Sequence, residues 1–175
     1  SLLPYPNLVR QYAADGWGYP SQGVVVLAGD EATGKTTLAL SDAAHIRLTK
    51  HAPILYLECE GKQMAPDRML QCMHTNPELA LKLLQGVSVD ECRALPMVIP
   101  KIEDWARVQR EGVKEGKDVR VPPLPMDIPL VAIIDPISRL LTSAEAAGHV
   151  EWDGISREKA HEIGTGTNLG HSQWF

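Results

Sequence analysis

The chain has 175 residues, 44% of them hydrophobic, which is apolar surface enough for the core of one domain. A chain this long buries about 70% of its unfolded surface, so disulfides and structural metals are not needed, and secreted mini-scaffolds are excluded. Seventeen basic against 22 acidic residues leave a formal charge of -5, which excludes bulk, histone-like binding to nucleic acid and leaves only a local patch.

Val24 to Ala28, an apolar and β-branched run between Gly23 and Gly29, predicts a strand buried on both faces at the centre of a sheet. Lys35 to about Leu48 predicts a helix, with Leu40, Ala43, Ala44 and Leu48 at helical spacing. Ile54 to Leu57 predicts a second strand, opened by Pro53, which cannot donate to a ladder. Strand, helix, strand implies a parallel βαβ unit. Asn76-Pro77 predicts a helix start, with a capping side chain and a proline where no hydrogen bond is lost; that helix should stop near Gly86.

Ile102 to about Gln109 predicts an amphipathic helix with Ile102, Trp105 and Ala106 on one face, and Trp105 is expected in the core. Residues 111 to 129, charged and then interrupted by Pro122, Pro123, Pro125 and Pro129, read as a surface insertion. Leu130 to Ile134 predicts a third buried strand, ending on Asp135. No further apolar strand follows, too little to complete an α/β sheet. The expectation is that segments are missing after about Ala144, so that residues beyond it are not all true chain neighbours.

Cys59, Cys72 and Cys92 are odd in number and form no CxxC pair, which argues against a disulfide framework and a zinc site and fits a reducing compartment. No apolar run approaches the roughly 18 to 20 residues of a membrane span, and SLLPYPNLVR lacks the regions of a signal peptide. A cytoplasmic, soluble protein with no membrane partner is expected.

Gly29-Asp30-Glu31-Ala32-Thr33-Gly34-Lys35-Thr36 matches G-x-x-x-x-G-K-[ST] between a predicted strand and a predicted helix, the context a phosphate loop demands. Glycines let the backbone curl around a phosphate, and successive N–H groups with the helix N-terminus make a concavity for anions. These eight residues and Thr37 are the candidate ATP site, with Lys35 reaching the β/γ-phosphates and the Thr36 hydroxyl a ligand for Mg²⁺. Asp135, at a strand end, can hold Mg²⁺ through water beside Thr36; Asp-Pro is equally a turn signal. Glu58 and Glu60 flank Cys59 at the end of the second strand, where alternation predicts one shared face. Glu60, nearer the loop, is the candidate for orienting or deprotonating the attacking water, the alternative being that both are solvated strand-end acids. Cys59 reads as a small buried apolar residue. Arg157 to His171 combines basic residues with a glycine-rich run; a solvated loop is the plain reading, and laying N–H groups on phosphates is the functional one.

These residues together resemble the RecA superfamily of ATPases, most closely the RecA/UvsX recombinases, over roughly residues 8 to 142 and again near 156 to 175. Gly16 to Gly23 resembles the family's glycine-containing turn before the first core strand. GDEATGKTTLAL is very similar to the recombinase phosphate loop, and Tyr56 to Gly61 falls where the family carries its catalytic glutamate. Gly164-Thr165-Gly166-Thr167-Asn168 resembles the glycine-rich second DNA-binding loop. The resemblance implies an α/β fold with a RecA-like P-loop NTPase core, mainly a parallel β-sheet flanked by helices, spanning 1 to 175 as one domain. It implies a DNA-dependent ATPase using ATP and Mg²⁺, with Glu60 and Lys35 catalytic and Thr36 and Asp135 at the metal. Single-stranded DNA would be held through Arg157, Lys159, Gly164, Gly166 and Asn168, for recombination or repair, with self-association as a filament or hexameric ring.

The chain departs from that pattern in three places. Asp135-Pro136-Ile137-Ser138-Arg139-Leu140-Leu141 has proline directly after the acid, more like RepA-type hexameric helicases of the RepA/DnaB kind. No strand tipped with a γ-phosphate-sensing Gln or His is visible, and Ser1 to Asn7 shows no polymerisation helix. Besides recombinase and ring helicase, a nucleotide-gated module that binds a protein partner shares the same loop.

Overall fold

A computed structural model describes residues 2–6, 18–20, 22–61, 64–115 and 118–140. In chain order the elements are β1 (Leu2–Pro4), β2 (Gly18–Pro20), α1 (Lys35–Lys50), β3 (Ile54–Glu58), α2 (Pro66–Met73), α3 (Pro77–Leu84), β4 (Val87–Glu91), α4 (Val98–Glu111), β5 (Val113–Glu115), β6 (Asp118–Val121) and β7 (Val131–Asp135). Short 3-10 turns cover Leu95–Met97 and Ile137–Arg139.

The heart of the fold is a parallel sheet of order β4-β3-β7. All five residues of β3 are buried, because helices cover both of its faces. Ile54 and Tyr56 face one way, into a cluster with Leu40, Ala43 and Ala44 of α1, Met69, Cys72 and Met73 of α2, and Leu83 of α3. Leu55 and Leu57 face the other way, packing with Cys92, Val98 and Leu140, with Ile102 and Trp105 of α4 against them. The expected α/β class, a parallel sheet flanked by helices, is what the chain adopts, and Trp105 lies against the core as expected.

Local causes set the boundaries of α1 and α3. Gly34 takes a left-handed conformation (φ 86°) immediately before α1, a turn that an L side chain rarely tolerates. Asn76 accepts a hydrogen bond from the Leu79 N–H at 3.1 Å, so α3 begins where the sequence places it. At the far end of α1, Arg47 donates through Nε to the Leu83 carbonyl (2.9 Å) and through Nη1 to that of Ala52 (3.1 Å). A Cβ on Gly86 would lie 1.7 Å from the Arg47 guanidinium carbon, so this clamp needs glycine there. Burial lowers the Arg47 pKa from its ordinary value.

The structure corrects five expectations. The third strand, expected to be buried, is only partly so: no residue of β7 is fully buried and Ala132 is exposed. Val24 to Ala28 forms no strand, and Val24 and Val26 are 92% and 65% exposed. A strand exists only where a neighbour takes up its N–H and C=O groups, and the described ladder ends at β7. Leu48, expected on the core face of α1, is exposed, and Ile46 is buried instead. The helix expected from Ile102 starts at Val98, with Pro100 in its first turn, where its missing N–H costs nothing. The expected insertion at 111 to 129 contains the β5/β6 hairpin, and Arg110 pins the proline-rich run by donating to the carbonyls of Pro125 and Ile128.

Leu57→Ala should therefore cost about 2–5 kcal/mol, the usual loss for a fully buried leucine. Val24→Ser should change stability by no more than about 0.5 kcal/mol, as for an exposed position. Urea denaturation of the two variants against the parent chain measures both.

Candidate functional site

The parallel register places Glu91, Glu58 and Asp135 side by side at the carboxyl ends of β4, β3 and β7. This is the end of a parallel sheet at which ligand sites form. The first turn of α1 stands beside it, so residues far apart in sequence converge. Thr36 Oγ1 donates to Asp135 Oδ2 at 2.6 Å, and the Tyr56 hydroxyl donates to the same oxygen at 2.8 Å. Thr36 and Asp135, which the sequence reading set side by side at a Mg²⁺, are brought into direct hydrogen-bond contact. The Tyr56 contact was not foreseen. Burial first, and the Asp135 carboxylate second, raise the Tyr56 pKa well above its ordinary value, so the phenol keeps its proton and acts as a donor.

The loop from Gly29 to Gly34 is exposed and leads straight into α1, whose start no side chain caps. Its first-turn N–H groups carry the positive end of the helix dipole. Thr33 Oγ1 donates to the Asp30 carbonyl at 2.8 Å, and a Cβ on Gly29 would approach Thr33 Oγ1 to 3.1 Å, so the turn is tightly closed at its start. Ala32 has a positive φ of 59°, so the loop's curl is in the backbone itself. Lys35 Nζ folds over the loop and donates to the carbonyls of Gly29 (2.8 Å) and Asp30 (2.5 Å). Thr37 turns elsewhere: its hydroxyl accepts from Cys72 Sγ at 3.7 Å.

The two acids at the end of β3 have different environments, correcting the expectation of one shared face. β3 ends at Glu58, and the chain then turns so that the buried Glu58 carboxylate accepts the N–H groups of Glu60 (2.7 Å) and Gly61 (2.9 Å). Glu58 thereby builds the turn that carries Glu60. Glu60 itself is 42% exposed and lies 3.6 Å from the Arg139 guanidinium. A second acid, Glu31 of the loop, lies 3.6 Å from the same guanidinium. The sequence signals for these contacts were thin. A tyrosine in a buried strand needs a partner for its hydroxyl, the one signal that could have marked Tyr56, and the turn after Asp135 brings Arg139 back over the sheet end.

Cys59 is buried between the two acids, as expected of a small apolar residue. Burial and the neighbouring Cys92 push its thiol up to about 12. The candidate DNA-binding residues Arg157, Lys159, Gly164, Gly166 and Asn168 lie outside the described residues. No described helix is long and apolar enough to cross a membrane.

The donor set suits a magnesium-bound nucleotide. A threonine hydroxyl and a carboxylate that meet at 2.6 Å are hard oxygen ligands, and the tightly curled loop with its overlying ammonium suits phosphate. A family model described as an AAA domain matches residues 10–156, most of the chain. Neither the curated proteins nor the solved structures searched contain a match.

Tyr56→Phe should remove one donor from the Asp135 carboxylate while leaving the ring's packing in place. The expected loss is about 1.5–3 kcal/mol, the value of a hydrogen bond to a charged group, read by urea denaturation.

Proposed function

The chain belongs to the AAA domain family, a nucleotide-binding P-loop ATPase domain, and from that premise we propose that it is a DNA-dependent ATPase of recombinase type that binds single-stranded DNA. The observation that carries the enzymatic part is the Thr36–Asp135 contact at the mouth of the phosphate loop. Thr36 and Asp135 would hold Mg²⁺, which when bound screens phosphate charge and orients the triphosphate. The loop amides and Lys35 bind the phosphates, Lys35 exchanging the carbonyls of Gly29 and Asp30 for phosphate oxygens.

Glu60 is the proposed base. Glu58 fixes its backbone, its own carboxylate is exposed, and it stands on the loop side of the sheet end next to Arg139 and Glu31. It takes a proton from water as the water oxygen bonds to the terminal phosphorus and the bond to the bridging oxygen breaks, leaving ADP and phosphate. The DNA part rests on the resemblance of Gly164 to Asn168 to a DNA-binding loop and on Arg157 and Lys159 as local cations in a chain of net charge -5. Self-association as a filament belongs to the same reading. One observation favours a second reading, a ring-forming helicase: the proline directly after Asp135.

Lys35→Ala should weaken ATP binding by about 10- to 100-fold, the value of a charged hydrogen bond. Glu60→Gln should keep binding and slow hydrolysis by roughly 10² to 10⁴. Calorimetry and phosphate release check both, and unchanged behaviour of the Lys35 variant would sink the site.

For the DNA part, fluorescence anisotropy with a single-stranded oligonucleotide is followed over a salt series. Replacing Arg157 and Lys159 together should flatten the log–log salt slope by up to roughly 1.4, at about 0.7 per phosphate contact on single strands. Binding should weaken across all sequences while basal ATPase persists. No binding by the intact protein at low salt with an ATP analogue would favour a partner-binding regulatory module.

A further inference from the structure

Arg139 closes the short turn that follows β7. Its N–H donates to the Pro136 carbonyl at 3.1 Å, and the N–H of Leu140 donates to that of Ile137 at 3.2 Å. The Leu140 side chain is fully buried in the cluster with Leu55, Leu57 and Val98. The backbone of Arg139 is thus anchored on both sides, by the end of β7 and by a core leucine. Its guanidinium is not. It is 58% exposed and reaches over the phosphate loop, with Nη2 3.6 Å from Glu31 Oε1 and Nε 3.6 Å from Glu60 Oε1. Both separations exceed hydrogen-bond length, and exposed ion pairs of this kind are weak, so the guanidinium is held in place without being locked to either acid.

The two acids pose a problem for a polyphosphate. Glu31 is 95% exposed on the loop itself and Glu60 is exposed at its side, so a terminal phosphate arriving there meets two negative charges. Lys35 addresses the start of the loop, at Gly29 and Asp30, and Arg139 is the cation that the described contacts put against both acids. A guanidinium offers five donors in a planar fork that matches two phosphate oxygens at once. Two weak ion pairs are therefore readily exchanged for one charge-assisted, two-pronged contact.

We propose that Arg139 is the chain's own ligand for the terminal phosphate of a nucleoside triphosphate, exchanging Glu31 and Glu60 for that phosphate and so releasing the Glu60 carboxylate to water. The proposal rests on the phosphate-loop reading above. It makes Arg139 a discriminator: a diphosphate leaves it paired with the two acids, and a triphosphate takes it.

The test titrates the full chain with ADP and with a non-hydrolysable ATP analogue by calorimetry, and follows ATP turnover by phosphate release. In Arg139→Ala, ADP affinity should be unchanged while analogue affinity falls about tenfold or more and turnover falls with it. Arg139→Lys should restore part of the analogue affinity, since it keeps the charge and loses the fork. Unchanged analogue affinity and turnover in Arg139→Ala, with ADP still bound, would overturn the proposal and leave the loop assignment standing. Equal loss of ADP and analogue would make Arg139 a general support of the loop and overturn it also. Failure of the unsubstituted chain to bind either nucleotide would overturn the phosphate-loop reading, and this proposal with it.

Discussion

One carboxylate oxygen ties the site together. Asp135 Oδ2 receives Thr36 from the first turn of α1 and Tyr56 from the middle of β3, contacts that span 99 and 79 residues of sequence. The phosphate loop has few supports of its own: it is exposed, uncapped by side chains and continuous with an exposed segment. Its position relative to the sheet is set by α1 packing through Leu40, Ala43 and Ala44, and by this hydroxyl–carboxylate contact at the helix start. A tyrosine whose proton is held firmly and a threonine hydroxyl offer the acid two donors, so its orientation is fixed from two elements at once.

The row Glu91, Glu58, Asp135 across three adjacent strands would be repulsive if the acids were left bare. Each is met by a different device. Glu91 pairs with exposed Arg93, Glu58 accepts two backbone N–H groups of the turn that follows it, and Asp135 accepts two hydroxyls. The devices differ in consequence. A buried acid on backbone amides shapes a turn, whereas an acid on hydroxyls keeps oxygen available at the mouth of the loop. The exposed pair of Glu31 and Glu60 shares Arg139, a cation held by weak ion pairs and free to reorient.

What the sequence made legible was local. The loop pattern encodes a backbone turn directly, so Gly34 and α1 fall where expected, and Asn76-Pro77 marks its helix through one side-chain cap. β3 and β7 were both legible as continuous apolar runs, but helices bury both faces of β3 alone, and β7 is only partly buried. α2 and β4 were missed. The first has Met and Cys where leucines would signal a core face, and the second is a half-solvated neighbour of β3 whose polar residues outweigh Val87 and Val89. Val24 to Ala28 shows the converse. Its composition is that of a buried strand, but pairing depends on a partner edge that composition does not encode. The Tyr56 and Arg139 contacts were hidden for the same reason, since each joins segments remote in the chain.

The proposed role of Thr36 and Asp135 is a metal-assisted nucleotide site on the phosphate loop. Its most direct test is calorimetric titration of the unsubstituted chain with ADP, once with magnesium and once with the metal chelated. Saturable binding at one site is expected with magnesium, and much weaker binding without it. Binding of equal strength in both titrations, or none in either, would contradict it.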